Sequence, residues 1–241
     1  MVVRHETVLN AASVHWAAER LGLTLPAVLA PEPVWRDPDA AAGRAETARE
    51  ELAEEGFLDR DEPGEDLEDS LRLLCRAPAG VSAYVQTGEL TYRLHAAAGR
   101  RSGSFACYLP GEGRILLRPA RLEALTRMVV RELPEHPPAR SVSYSVPVAD
   151  LTVEEPHGQA ARVAAIFAQP RSAGGQVFVG VRDHRGLRRS EPVTFVDTEQ
   201  GRWLSYPDGR FVSTVSGTES TFLNRLDELW RELDRLSPGA R

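Results

Sequence analysis

The amino-acid sequence predicts an α+β protein in which helices pack around one central antiparallel sheet. Three observations predict it. The first third of the 241-residue chain has helical periodicity, the spacing of apolar residues changes to two from Val81, and the second half repeats the order of elements of the first. Short hairpin turns join the predicted strands, which is typical of antiparallel rather than parallel sheets.

The first third contains three predicted helices. Asn10 has the side chain of a helix N-cap, and that helix ends at Gly22. Asp37-Pro38 begins a second helix, which runs to about Glu55. The third helix is marked by four residues at helical spacing and ends before a proline, Pro78: Leu67, Leu71, Leu74 and Cys75.

A meander of strands and a helix follow. One predicted strand places four apolar residues on one face: Leu90, Tyr92, Leu94 and Ala96. The next strand alternates Phe105, Cys107 and Leu109, and Gly111-Glu112-Gly113 turns the chain into a strand from Arg114 to Arg118. Pro119 is predicted to start a helix that reaches Leu133.

The second half begins with an extended segment from Ser141 to Val148 and a helix from Ala160 to Ala168. Four strands are predicted after it, at Gln176 to Asp183, Val193 to Asp197, Arg202 to Tyr206 and Arg210 to Val215. Tyr206-Pro207-Asp208-Gly209 has turn composition, and the last helix carries Phe222, Leu226, Trp230 and Leu233.

The two halves share one order of elements: helix, proline, meander, Gly-Arg strand, helix. Pro78 corresponds to Pro170, and Gly113-Arg114 to Gly209-Arg210. We therefore expect a single domain over residues 1–241 with pseudo-two-fold layout, its repeats at about 65–133 and 160–236.

Charge excludes several classes of function. All 29 basic residues are arginine, so the chain lacks the lysine of a GxxxxGK phosphate loop or a Schiff base. The net charge of −6 disfavours general nucleic-acid binding. Twelve acidic residues between Glu46 and Asp69, against two arginines, give that segment −10 and leave +4 elsewhere. We interpret the segment as solvated helix surface, with docking of a basic partner as the alternative.

The sequence favours a cytosolic protein without membrane insertion. No stretch approaches the ~18 apolar residues of a membrane helix, and Met1 to Asn10 has charges where a signal peptide is apolar. Cys75 and Cys107 lack a CxxC partner and lie among apolar residues, so we predict small core residues rather than a disulfide.

Catalytic templates are missing from the sequence. The six histidines follow no metal-ligand spacing, and neither a GxSxG elbow nor a dinucleotide loop is found. We predict no catalytic residue, no metal and no cofactor, which favours protein binding by elimination. Asp183, His184 and Arg185 at a strand end leave open an α+β enzyme or small-ligand-binding domain. Self-association as a homodimer also stays open.

The ordered pattern of short segments resembles the EspG family, cytosolic chaperones of actinobacterial type VII (ESX) secretion. The segments that carry the resemblance are Leu21-Gly22-Leu23 with Leu25-Pro26 and Leu29, Leu71 to Leu74 with Arg76-Ala77-Pro78, Ile115 to Pro119, Ser141-Val142-Ser143 with Val146-Pro147 and Asp150-Leu151, and Val196-Asp197-Thr198 with Gly201-Arg202. They run through nearly the whole chain, and none is a catalytic motif.

The resemblance implies a fold and a partner. It implies a central antiparallel sheet flanked by two helical bundles, and a non-catalytic interface that keeps the apolar helical tip of PE/PPE-like proteins soluble. Contacts would involve the loop after the second strand, about Gly99 to Ser104, and the C-terminal helix. The residues expected at the interface are Arg100, Arg101, Ser102, Phe222, Leu226 and Trp230. This loop is short, so the resemblance does not determine which PE/PPE-like protein is bound.

Overall fold

One large antiparallel sheet, with eleven strands in the described part of the chain, forms the centre of the protein. The computed structural model describes residues 2–31, 38–140 and 143–236. The α-helices there are α1 (Ala11–Arg20), α2 (Pro38–Glu54), α3 (Glu65–Arg76), α4 (Leu125–Arg131), α5 (Val148–Leu151), α6 (Gly158–Phe167) and α7 (Glu219–Leu236). The strands there are β1 (Thr7–Asn10), β2 (Leu58–Asp59), β3 (Glu62–Pro63), β4 (Ala79–Thr87), β5 (Thr91–Ala98), β6 (Gly103–Leu109), β7 (Arg114–Ala120), β8 (Tyr144–Pro147), β9 (Ala173–Asp183), β10 (Gly186–Arg189), β11 (Val193–Thr198), β12 (Gly201–Asp208) and β13 (Phe211–Ser216).

Two meanders meet at the middle of this sheet. The strand order is β1-β7-β6-β5-β4-β9-β11-β12-β13-β8, and β10 pairs with the end of β9. β4 and β9 are antiparallel neighbours, with Gly80 opposite Gly180. β2 and β3 form a separate small hairpin. The predicted α+β class with a large antiparallel sheet is confirmed.

Helices cover both faces of the sheet. On the face that we call the front, α4 and α7 bury Val81, Leu94, Val179 and Phe195 in the largest apolar cluster. On the opposite, back face, α1 and α3 pack over β6 and β7, and α6 packs over β8 and β12. The front cluster includes an aromatic contact between Phe195 and Phe222, whose ring centroids are 6.3 Å apart. Burial of these apolar side chains is the main favourable contribution to folding.

Several predictions made for the N-terminal half of the chain differ from the structure. Residues 7–10 form edge strand β1, which the sequence does not predict. The Asn10 side chain makes no cap hydrogen bond to α1 and donates instead to the Glu51 carboxylate at 2.9 Å. Leu90 is exposed before the start of β5. Asp37, predicted to open the second helix, lies outside the described residues.

Pro119 does not start a helix. It lies in β7 opposite Ser104, and the helical segment begins later, with a short 3₁₀ turn at Leu122–Ala124 before α4. β1 pairs only with residues 114–117 of β7, so position 119 is on a free part of that edge. A proline is tolerated there because no ladder hydrogen bond is lost.

Two turns in the second half are also shifted. Pro207 and Asp208 still belong to β12, and the turn residues are Gly209 and Arg210. After the strand end predicted at Asp183 the chain turns directly into β10, which contains Arg188 and Arg189. The extended segment predicted from Ser141 includes β8, while residues 141 and 142 lie outside the described part of the chain.

Candidate partner-binding groove

The structure brings two separately predicted interface regions to one groove on the front face. Arg100, in the β5–β6 loop, and Trp230, on α7, line the same cavity of about 590 Å³. Its floor and walls are mainly apolar, with Ala98, Leu122, Leu125 and Val181 as further lining residues. We call this cavity the front groove. It is concave and apolar, as protein and ligand sites commonly are.

Tight strand pairing positions the loop side of the groove. Ala98 pairs with Gly103, and the Gly99 amide donates to the Ser102 carbonyl at 2.9 Å. A Cβ on Gly103 would lie 2.8 Å from that of Ala98, so only glycine fits there. The exposed tip is therefore limited to residues 100–102, and Gly103 and Ser104, expected in the loop, belong to β6.

The α7 side of the groove corrects part of the predicted interface. Phe222 and Leu226 are 1% and 0% exposed in the front cluster, so a partner docking on this structure does not reach them. Trp230 is only partly buried and lines the groove. The reason is helical geometry, because Phe222, Leu226 and Leu233 follow the stripe that faces the sheet and Trp230 lies beside it.

Sequence reasoning missed Leu122 and the charged rim of the groove. Leu122 falls within the helix predicted from Pro119 to Leu133, but it lies in the 3₁₀ turn and is 47% exposed. Glu123, Asp227 and Arg231 lie around the opening. An apolar floor with a charged rim can bury apolar side chains of a partner and orient them by hydrogen bonds, as interface cores and rims do.

Comparison with known proteins assigns the family. A model described as the EspG family matches residues 9–228 of the chain. The chain belongs to the EspG family. This confirms the resemblance predicted from the ordered segments. No curated protein matches the chain.

Among solved structures, this EspG chain is similar to that of the Mycobacterium tuberculosis type VII secretion system chaperone EspG5 in complex with a PE25-PPE41 dimer. The TM-score is 0.73 at 14% sequence identity, and the match covers 95% of this chain and 96% of that one. At this identity the likeness establishes the fold.

Asp183, His184 and Arg185 of the EspG chain form the tip of the β9–β10 hairpin. Asp183 pairs with Gly186, His184 and Arg185 are exposed between them, and the Arg185 amide donates to Asp183 Oδ1 at 2.7 Å. This is the local hydrogen bond of an Asx turn, in which the carboxylate stabilises the backbone bend.

The two cysteines of the EspG chain are free thiols in apolar surroundings. Burial, the largest effect on each, raises the pKa of Cys75 and of Cys107 to about 11, so both are protonated at neutral pH and are weak nucleophiles. Within the described residues, no three acidic, histidine or cysteine side chains are grouped to hold a metal ion. None of the helices in that part of the chain has both the length and the apolar character needed to cross a membrane.

Proposed function

We propose that this EspG-family chain is a type VII secretion chaperone that binds the helical tip of PE/PPE-like proteins in the front groove. The observation that carries the proposal is the family match over residues 9–228. The similar fold of a chaperone solved with a PE25-PPE41 dimer supports this class of partner.

The groove suits such a client on physical grounds. The tip of a helical hairpin exposes apolar side chains that favour aggregation, and an apolar groove removes them from water. Trp230 and Leu122 offer apolar surface in the groove that is still accessible. Large aromatic side chains dominate binding energy at many interfaces, so Trp230 is the proposed anchor.

The β5–β6 loop and helix α7 have different roles in binding the client. Arg100, Arg101 and Ser102 are exposed at the tip beside the groove and would contact polar groups of the client. Phe222 and Leu226 hold α7 against the sheet and position Trp230 without touching the client. Binding is non-catalytic and takes place in the cytosol.

Residues 1–241 act in this proposal as one domain with pseudo-two-fold layout. The repeats at about 65–133 and 160–236 would each contain a helix, four meander strands and a closing helix. The strand order, with one meander on each side of the β4–β9 pair, supports this arrangement. The helical layers formed by α1 to α3 and by the helices of the second half are the proposed flanking bundles.

Co-expression tests the proposed function. The chain is expressed with each PE/PPE-like pair encoded in its genome, and soluble client and co-elution are measured by size-exclusion chromatography. We expect one or more pairs to become soluble and to co-elute. If every pair elutes separately and gains no solubility, the function is wrong.

Groove variants test the site. Trp230→Ser and the double variant Arg100→Glu/Arg101→Glu should each weaken the complex by about tenfold or more, because the first removes the aromatic anchor and the second reverses the charge of the loop tip. Arg210→Glu, an exposed charge change at the β12–β13 turn, is the matched control. The double variant alters only exposed side chains, so it remains informative if Trp230→Ser melts early. Equal binding by wild type and both groove variants would place the interface elsewhere.

A further inference from the structure

A strip of the back face along the central strands is left uncovered by helices in the described part of the chain. α1 and α3 cover β6 and β7, α6 covers β8 and β12, and α7 packs on the front of β9. The strip consists of Tyr84 on β4, Gln176, Phe178 and Arg182 on β9, and Leu187 and Arg189 on β10, and we call it the back strip. Leu187 is 49% exposed, and neither it nor Phe178 belongs to an apolar cluster.

The back strip is positively charged. β4, β5, β9 and β10 contain a single carboxylate, Asp183, and side-chain alternation directs it to the front while Arg182 points to the back. The neighbouring α6 has no acidic residue. Arg182 and Arg189 form no ion pair with any described residue. Their charges therefore face the strip without a carboxylate partner among the residues that the structure describes.

The shape of the back strip fits a helix. Gly80 and Gly180 face each other at one end, where the Leu187 side chain lies over Gly180. The other end opens into a cavity of about 740 Å³ lined by Gln86 and Gln176. From Arg182 to Gly174 the strand advances about 26 Å at ~3.3 Å per residue, which is close to the ~27 Å length of an 18-residue helix.

The aromatic residues of the back strip do not form a platform for nucleic-acid bases. Tyr84 and Phe178 pack edge to face, with ring centroids 6.3 Å apart. The Arg93 guanidinium lies 5.8 Å from the Tyr84 ring centroid, and that of Arg189 lies 5.7 Å from the Phe178 centroid. Because guanidinium groups already cover these rings, bases cannot stack on them as they do on open aromatic sheets. Exposed Leu187 adds apolar surface that suits a protein.

We propose that the back strip docks an acidic amphipathic helix of another protein, with its apolar side chains on Leu187 and its carboxylates beside Arg182 and Arg189. Charge complementarity and the exposed apolar side chain of Leu187 identify this occupant. The surface lies on the face of the sheet opposite the front groove, so it goes beyond the proposed function and a client can be bound at the same time.

Fluorescence anisotropy with synthetic peptides tests the docking site. The probe is a labelled helix-forming peptide of about 18 residues with leucine on one face and glutamate on the other. Matched peptides carry glutamine or lysine in place of glutamate. We expect the full chain to bind the glutamate peptide, to bind it more weakly as salt is raised, and to bind the other two about tenfold less tightly or worse.

Variants then locate the binding. Arg189→Glu and Leu187→Asp change exposed side chains and should each weaken binding of the glutamate peptide by about tenfold. Arg210→Glu makes the same charge change at the far edge of the sheet and should bind normally. Trp230→Ser, in the front groove, should also bind normally, which separates this proposal from the proposed function.

Four results of the binding measurements would overturn the proposal. They are absence of binding to about 1 mM peptide, equal binding of the glutamate and glutamine peptides, an equal loss in Arg210→Glu, and tighter binding of oligouridylate than of the peptide. Light scattering checks a second copy as occupant. If wild type self-associates and Arg189→Glu is monomeric, the back strip is a self-association surface and the proposal is wrong.

Discussion

The ion pair between Asp197 and Arg202 should be essential for stability. Asp197, on β11, is fully buried, and Arg202, on β12, is 7% exposed. Arg202 Nε donates to Asp197 Oδ1 at 2.7 Å and its Nη2 donates to Oδ2 at 2.6 Å, which forms a bidentate pair. Nη2 also donates to the Pro134 carbonyl at 2.5 Å, so the pair holds the connection between the two halves against the sheet.

The perturbation is Asp197→Asn, which keeps the size of the side chain and removes its charge. The guanidinium of Arg202 then stays buried without a counterion, and a hydrogen bond to a charged group is weakened. Removing one partner of a buried ion pair costs about 3–5 kcal/mol. For a chain of this length, about 2–4 °C is lost per kcal/mol, so the melting temperature should fall by at least about 6 °C.

Urea unfolding followed by tryptophan fluorescence measures the loss, with circular dichroism as a second probe of two-state behaviour. The double variant Asp197→Asn/Arg202→Met should be more stable than Asp197→Asn alone, because it removes the uncompensated charge. Ser205→Ala, which also alters a buried polar group on β12, is the comparison. A loss below about 1 kcal/mol in Asp197→Asn, or a double variant that is less stable than the single one, would refute the reasoning.

Three further predictions concern stability. Burial, the largest effect, lowers the pKa of His95 to about 4, so the folded state resists protonation of this side chain. The stability of the protein therefore falls as the pH drops below about 6.5, where His95 of the unfolded chain takes up a proton. Between pH 7 and pH 5, urea unfolding should show that wild type loses about 2 kcal/mol more than His95→Gln. Gly175→Ala should cost about 1–3 kcal/mol, because a Cβ would lie 2.2 Å from a backbone oxygen of β4, while Gly111→Ala meets no atom within 4 Å and should be neutral in thermal melts. Glu51→Ala should cost about 1–3 kcal/mol by loss of its hydrogen bonds at the β1–α1 junction, measured against the exposed control Glu54→Ala.

The contradicting outcomes differ among these variants. If the stability of wild type and that of His95→Gln depend equally on pH, the pKa of His95 is not lowered by its burial beside Ser82 and the Leu74 carbonyl. A neutral Gly175→Ala would mean that the β4–β9 pair can separate locally. If Glu51→Ala and Glu54→Ala lose the same stability, the hydrogen bonds of Glu51 at the junction contribute nothing beyond the effect of removing one negative charge.

Local periodicity predicted most elements of the large sheet because its strands alternate strongly. Val193–Thr198 and Arg114–Ala120 were found within a few residues of their observed bounds, since apolar side chains at every second position need a buried face. β1 escaped prediction because its four residues lie at an edge and depend on pairing with β7. Pro119 was assigned to a helix because the free edge that tolerates it is a property of the assembled sheet.

The sequence by itself determined the α+β class, the family and the two regions near the candidate site. These follow from residue patterns and ordered segments along the chain. Only the tertiary structure decided that Phe222 is buried while Leu122 is exposed, and that Arg100 and Trp230 line one groove. The physical reason is that exposure and adjacency depend on contacts between residues far apart in the chain, such as the pairing of β4 with β9, which local periodicity does not encode.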